Sequence, residues 1–296
     1  MLKTVLFRRN HFIHVLNVVG RVRITNTSNS MEINNHEVKL VFNPSTLGSC
    51  GSNGTNFGFH TEESQTLPIW IEKWTSDQAI VWTQVPHIGI GQSKEYIITC
   101  DPEHKSENNP DKVFTFYDDF NDPNLSKWGK HYGNGSISVS GGVVRIQSSG
   151  DLWTEILSVK NLVADGTTAL IAEGWLNVIA RATAFGLISQ GGGRCHFGHW
   201  ISLFAYYSDG TTGSHTQIGS CPKGSWHLNK VTWKEGEFVN FYTDWGVNRT
   251  FTNYIMTRGD GVKLWIGAWN IYNGTIKAGW VRVRKYIDSE PQINFL

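Results

Sequence analysis

Apolar residues recur at every second position in short runs along almost the whole chain, and helical spacing is nearly absent. RVRITNTS, EVKLVF, LPIWIEKW, AIVWTQV and KEYIITC occupy the first hundred residues. After residue 112 follow SISVS, GVVRIQS, WTEILSV, TALIAEGWL, AFGLISQ, WISLFAYY, HLNKVTW, FVNFYTDW, KLWIGAW and GWVRVRKY. Gly, Asn and Asp turn signals separate these runs, so the pattern predicts an all-β chain of two β-sandwich domains. The stretch TCDPEHKSENNPDK (99–112) is polar, carries two prolines and breaks the alternation, which marks a linker. The expected organisation is a lead segment over 1–18, a small sandwich over 19–105, a linker over 106–112, a larger sandwich over 113–290 and a tail over 291–296.

Composition narrows the function classes. Charged residues make up 17% of the chain, against 13 Trp and 31 Gly, a balance that suits a turn-rich β protein with some aromatic surface. The formal charge of +1 offers no footprint for nucleic acid, and neither zinc-finger spacing nor a basic helix supplies one, so no nucleic-acid partner is expected. No run approaches the roughly 18 apolar residues of a spanning helix, so no membrane insertion is expected either. The start, MLKTVLFRRNHFIHVLNVVG, is interrupted by Arg8, Arg9, His11 and His14 and makes a poor signal peptide. It reads as a lead-in to the first strand or as part of an exported or virion protein.

The four cysteines split two and two, which favours pairing within each half: Cys50 with Cys100, and Cys195 with Cys221. The second pair has the better local argument, because WISLFAYY and GSHTQIG form a hairpin through SDGTT whose open end carries Cys195 and Cys221. Free thiols are one alternative. A metal site using Cys195, His196 and His199 of CHFGH is another, although zinc sites usually show a cleaner spacing.

Residues 117–128, YDDFNDPNLSKW, resemble the opening strand of concanavalin A-like lectin/glucanase (jelly-roll) domains, and GWVRVRKYIDSEP resembles their closing strand, which pairs beside the opening one. Upstream, the run WIEKWTSDQAIVWTQVP resembles an uncharacterised domain of unknown function that precedes such lectin-like domains in archaeal and bacterial surface proteins. The resemblance implies a jelly roll over about 113–290 and an extracellular, cell-surface or virion setting. It also implies a structural calcium near the seam, with Asp118, Asp119 and Asp288 as oxygen donors. The residues themselves give Asp118 a choice. If Phe116 and Phe120 point inward, Asp118 lies on the apolar side and must be satisfied. A strand-end cap, a pairing with Arg282 or Arg284, or a cation would each do so.

Glucanases of that fold carry Glu-x-Asp-x-x-Glu in mid-strand, and this chain lacks it. Its acid-x-acid pairs, Asp101/Glu103, Glu235/Glu237 and Asp288/Glu290, fall in a linker, a turn and a tail. Asp151 and Glu155 are four apart, about 13 Å along a strand, too far for a paired-carboxylate mechanism. No nucleophile elbow, phosphate loop or dinucleotide fingerprint is present.

Sugar recognition needs flat rings beside polar side chains, and the strands offer them. In KLWIGAW, Leu264, Ile266 and Ala268 suit a core while Trp265 and Trp269 share the other face. FVNFYTDW similarly leaves Asn240, Tyr242 and Asp244 outward, and GWVRVRKY displays Arg282 and Arg284 beside Trp280. Tyr206 joins the candidates, as do Glu173 and Trp175, with Glu173 able instead to pair with Arg282. Trp70, Trp74 and Trp82 suit packing. The leading expectation is a non-catalytic carbohydrate-binding or adhesion module whose partner is a glycan or glycoprotein surface. The alternatives are a self-assembling subunit of a filament, surface layer or capsid, with 1–18 as its arm, and a glycoside hydrolase with an atypical acid pair.

Overall fold

The computed structural model describes residues 3–9, 12–28, 30–48, 50–129, 133–149, 152–200, 202–253, 255–269 and 273–296, with side chains from residue 17 onward. The chain is nearly all β, as its alternation requires. It divides into two compact units, residues 1–114 with 287–296, and residues 115–286.

In the first unit the strands run β1 (Lys3–Arg9), β2 (Phe12–Thr25), β3 (Ile33–Phe42), β4 (Phe57–Thr61), β5 (Ile69–Trp74), β6 (Ala79–Ile88) and β7 (Ser93–Cys100), followed by a helical turn, α1 (Pro110–Val113). The larger unit contributes β8 (Phe116–Asp118), β9 (Trp128–Gly129), β10 (Ser136–Val139), β11 (Val144–Gln147), β12 (Thr154–Ser158), β13 (Ala169–Ala180), β14 (Thr183–Ser189) and β15 (Arg194–His199). It continues with β16 (Ser202–Ser208), β17 (Gly213–Ser220), β18 (Trp226–Lys234), β19 (Phe238–Thr243), β20 (Asn248–Phe251), β21 (Val262–Ala268) and β22 (Thr275–Lys285). The last strand, β23 (Gln292–Phe295), returns to the first unit.

The first unit holds one sheet ordered β1-β2-β7-β4, with β23 beside β2, and a second ordered β3-β6-β5. Val22, Ile24, Leu40, Phe57, Phe59, Val81 and Ile98 from both sheets bury one apolar core. Trp74 packs its ring against Phe42 and Phe57 in this unit. Two segments differ from expectation. The supposed linker is held to β5 by hydrogen bonds between Ile69 and both Glu107 and Asn109, and the supposed tail is a paired strand. Polarity misled here, since edge strands and their flanks tolerate polar residues when their backbone groups are paired. Residues 3–9 likewise pair with 12–18 as a β-hairpin.

The second unit is a sandwich of two antiparallel sheets. One is ordered β10-β11-β22-β13-β18-β19-β20, with β8 added to β22; the other is ordered β17-β16-β15-β14-β21-β12-β9. The closing strand β22 pairs with the opening strand β8 through Val281–Asp118 and Val283–Phe116. Alternate residues of both sheets interlock in one core, among them Leu170, Val231, Trp233, Phe241 and Val283 from the first, and Phe185, Phe197, Leu203, Leu264 and Ile266 from the second.

The acidic pair of the opening strand finds its answer in a cap. Phe120 turns to a positive φ of 54°, ending the strand. Asp118 Oδ1 accepts from the Phe120 backbone N–H at 2.7 Å, and Oδ2 accepts from Trp128 Nε1 at 2.5 Å. Burial raises the Asp118 carboxyl above its ordinary range, against those two donors. Asp119 accepts from Asn121, while Asp288 belongs to the other unit and accepts from Ser30. The expected calcium set is not assembled: no group of three metal-ligating side chains forms among the described residues.

The cysteine expectation is half corrected. Cys50 and Cys100 form a disulfide, whereas Cys195 and Cys221 are free. Register supplies the reason. Cys195 lies opposite Tyr207 near one end of β16, while Cys221 follows Ser220, which lies opposite Ser202 at the other end. About five residues of strand, roughly 17 Å, separate the two positions. The CHFGH metal alternative fails by alternation, since Cys195 and Phe197 face the core and His196 faces out.

Candidate functional site

The core-facing stripe of the seven-stranded sheet fixes what the opposite face shows. With Ile156, Leu187, Cys195, Ala205, Leu264 and Ile266 turned inward, the intervening positions face away from the core. Strand register sorts them into rows across the sheet. One row reads Leu157, Trp265, Gly186, His196, Tyr206, His215; the next reads Glu155, Gly267, Ala184, Gly198, Phe204, Gln217.

The first row carries rings and the second, in its middle, only small residues, so the rings lean across the small positions. His196 stacks on Tyr206 at 4.9 Å between centroids, with 3° between planes, and meets Trp265 edge-on at 4.6 Å. Tyr206 stacks in turn on His215 at 5.3 Å. A Cβ at Gly198 would lie 2.3 Å from the Tyr206 ring, and one at Gly267 only 3.0 Å from Trp265 Nε1. These glycines are the seats on which the rings lie. Trp153 and Trp269 extend the patch, stacked at 5.8 Å, with Trp200 set edge-on against Trp269 at 5.3 Å.

Trp265 and His196 form the floor, only 4% and 3% exposed, while Trp153, Trp200, Tyr206 and Trp269 are half-buried and His215 is exposed. Burial holds the His196 imidazole well below its ordinary pKa, and its Nδ1 has no hydrogen-bond partner. Glu155 accepts from Trp265 Nε1 at 2.7 Å. Burial raises its carboxyl, with that indole donor opposing. Glu155 also forms one wall of an adjoining cleft of about 620 Å³, lined further by Leu157, Val159, Ile188, Gln190 and Lys263.

Of the ten expected ligand residues, the structure places Trp265, Trp269 and Tyr206 here. Tyr242, Asn240, Asp244, Arg282, Arg284, Glu173 and Trp175 lie on the eight-stranded sheet, across the core from this patch. There Arg282 and Glu173 form a buried ion pair at 2.5 Å, with Arg284 at 3.9 Å from the same carboxylate. Burial alone would raise the Glu173 carboxyl, but Arg282, Arg284 and Lys230 hold it below its ordinary range. Trp175 stacks with Trp226, Tyr242 lies beneath Lys230, Asn240 donates to Asn248 and Thr250, and Asp244 pairs with His227. Alternation sorts residues into inward and outward but does not say to which sheet an outward residue belongs. Trp153, Trp200 and His196 were missed for a related reason. The first two lie just outside their strands, and the spacing of CHFGH presents His196 as a metal ligand. The every-second-residue series 265, 267, 269, along β21 and just past its end, and 194, 196, 198 on β15 was the available signal.

Residues 53–131 match a family described as a domain of unknown function, DUF2341. No curated protein matches the chain. Similar solved structures include a β-glucanase of Bacillus licheniformis, with 18% identity over 58% of this chain and 98% of that one, at a TM-score of 0.43. A β-1,3-glucanase from Mycobacterium marinum shows 14% identity over 57% and 98%, at 0.39. The carbohydrate recognition domain of Emp47p shows 9% over 58% and 96%, at 0.42. All three scores lie below 0.5, and the architecture described above rests on this chain's own strand registers.

Proposed function

We propose that this chain is a non-catalytic carbohydrate-binding or adhesion module of a surface-exposed protein of a cell or virion, with the outer face of the seven-stranded sheet as its site. One observation carries the reading: half-buried rings of Trp153, Trp200, Trp269 and Tyr206 lie around a floor of Trp265 and His196, beside a cleft with its own polar walls. Flat apolar rings suit the apolar faces of pyranoses, and Glu155 and Gln190 suit their hydroxyls. The Cys50–Cys100 disulfide fits an oxidising exterior.

The hydrolase alternative needs two carboxyl groups roughly 5 to 10 Å apart. Glu155 is the single carboxylate carried by the described strands of this sheet, and Asp151 lies outside the described residues. The self-assembly alternative is favoured by one feature. Residues 12–17 of β2 pair with β1 alone among the described residues, a two-stranded ribbon of the kind that is marginal without further cover.

A glycan array probed with wild type, Trp269→Ala and Trp153→Ala tests the leading reading, with Tyr242→Ala and Trp280→Ala on the opposite sheet as controls. The first two variants lose about tenfold or more in affinity and the controls bind as wild type. Binding indifferent to both indole truncations, or abolished by Tyr242→Ala instead, rejects the site.

A further inference from the structure

The next row on the same face carries charge. Lys263 on β21 and Arg194 on β15 flank Ile188 of the intervening β14, each in direct register with it. Neighbouring strands lie about 4.8 Å apart, which sets the two backbone positions roughly 10 Å from each other. Lys263 and Ile188 line the cleft beside Glu155. Neither cation has a carboxylate partner among the described residues: Lys263 donates to the Val159 carbonyl, and Arg194 enters no ion pair. Partial burial lowers the Lys263 ammonium pKa.

We infer that the ligand is an acidic glycan, one of whose sugar carboxylates is held between Lys263 and Arg194 while neighbouring sugar units lie on the rings. This rests on the carbohydrate-binding reading and specifies its ligand class. Lys263 turns its ammonium toward the Val159 carbonyl beside β12, and Arg194 lies outside the cleft lining, so the two hold one oxyanion when the Lys263 side chain swings back over Ile188; Ile188 with Leu157 gives the sugar ring an apolar floor. The second oxygen of Glu155, free of any hydrogen-bond partner among the described residues, accepts a hydroxyl of the same unit. His196 remains neutral beneath the rings and adds no competing charge.

The test is calorimetric titration of the full chain with hexasaccharides of polygalacturonate and hyaluronan and with their carboxyl-reduced neutral counterparts, at low and at physiological salt. A dextran sulfate fragment serves as the sulfate arm. The acidic members bind about tenfold tighter than their neutral counterparts, and added salt erodes the difference. Lys263→Met and Arg194→Gln each bring acidic binding down to the neutral level, and Trp269→Ala weakens both. Equal binding of acidic and neutral members that still depends on Trp269 overturns this inference and leaves the carbohydrate reading standing. Binding of dextran sulfate alone also overturns it, placing sulfate rather than carboxylate in the cleft. No binding of any member overturns both.

Discussion

Glu155 and Trp265 are joined diagonally: the indole reaches the carboxylate at 2.7 Å although strand register sets Trp265 opposite Leu157 and Glu155 opposite Gly267. The diagonal is open because Gly267 has no side chain. A Cβ there would lie 3.0 Å from the indole nitrogen and 3.2 Å from Glu155 Cβ. The bond places a partly desolvated carboxyl at the seam between the rings and the cleft.

Burial raises the Glu155 pKa in the folded chain. Its contribution to stability is therefore fully present below the unfolded value near 4.5 and is lost as pH rises through the folded one. Glu155→Gln keeps an acceptor for Trp265 and cannot ionise. In denaturant unfolding the variant gains on wild type between pH 4 and pH 7. A difference that stays constant, or moves toward wild type, contradicts the assignment.

Gly198→Ala tests whether the rings are seated on the sheet. The new methyl would lie 2.3 Å from Tyr206 Cε2, so the ring must lift and break its stack on His196. Overpacking of this kind costs roughly 1–3 kcal/mol. In a Tyr206→Ala background the same change costs about 1 kcal/mol less or better, because the obstructing ring is gone. A urea double-mutant cycle with no coupling would show that the ring is not seated there.

Much of the fold was legible because side-chain alternation is a local property. Leu264, Ile266 and Ala268 face the core and Trp265 faces away, as the sequence of β21 predicts. The Asp118 cap was legible too, since an acid on an apolar stripe must end the strand or be paired. What alternation does not encode is the partner of each strand. Tyr242 and Trp265 both read as outward, yet β19 and β21 belong to opposing sheets. The distance between Cys195 and Cys221 failed for the same reason: their separation depends on how β15 lies along β16, a register set by nonlocal packing.

The cysteines divide into two behaviours. The Cys50–Cys100 bridge spans 50 residues of sequence, and loss of such a closure costs roughly 4 kcal/mol in the chain-entropy account. Cys50→Ser with Cys100→Ser lowers the unfolding midpoint of the first unit, residues 1–114 with 287–296, followed by hydrogen–deuterium exchange of its strand amides. Burial pushes the Cys221 thiol up to about 11 and the enclosed Cys195 thiol higher still. At pH 8, iodoacetamide labels Cys221 slowly and Cys195 only after unfolding. Rapid native labelling of Cys195, by mass spectrometry of the digests, would contradict its place in the core.

The buried pair of Glu173 and Arg282 separates folding from binding. Both side chains are 7% exposed, and the carboxylate serves Arg282 at 2.5 Å and Arg284 at 3.9 Å. Glu173→Gln removes the negative charge and leaves the guanidinium groups buried without it, a loss of roughly 3–5 kcal/mol. Because the arginines and Lys230 hold the Glu173 pKa below its ordinary value, its stabilisation is present above the unfolded pKa and fades as pH falls through the folded one. The gap between wild type and Glu173→Gln therefore narrows on acidification, opposite in sense to the trend at Glu155. Glycan affinity per folded molecule stays at the wild-type level, since the pair lies across the core from the rings. A Glu173→Gln chain that unfolds normally but no longer binds would move the site to the eight-stranded sheet. A chain that loses stability and keeps its affinity places the site on the seven-stranded one.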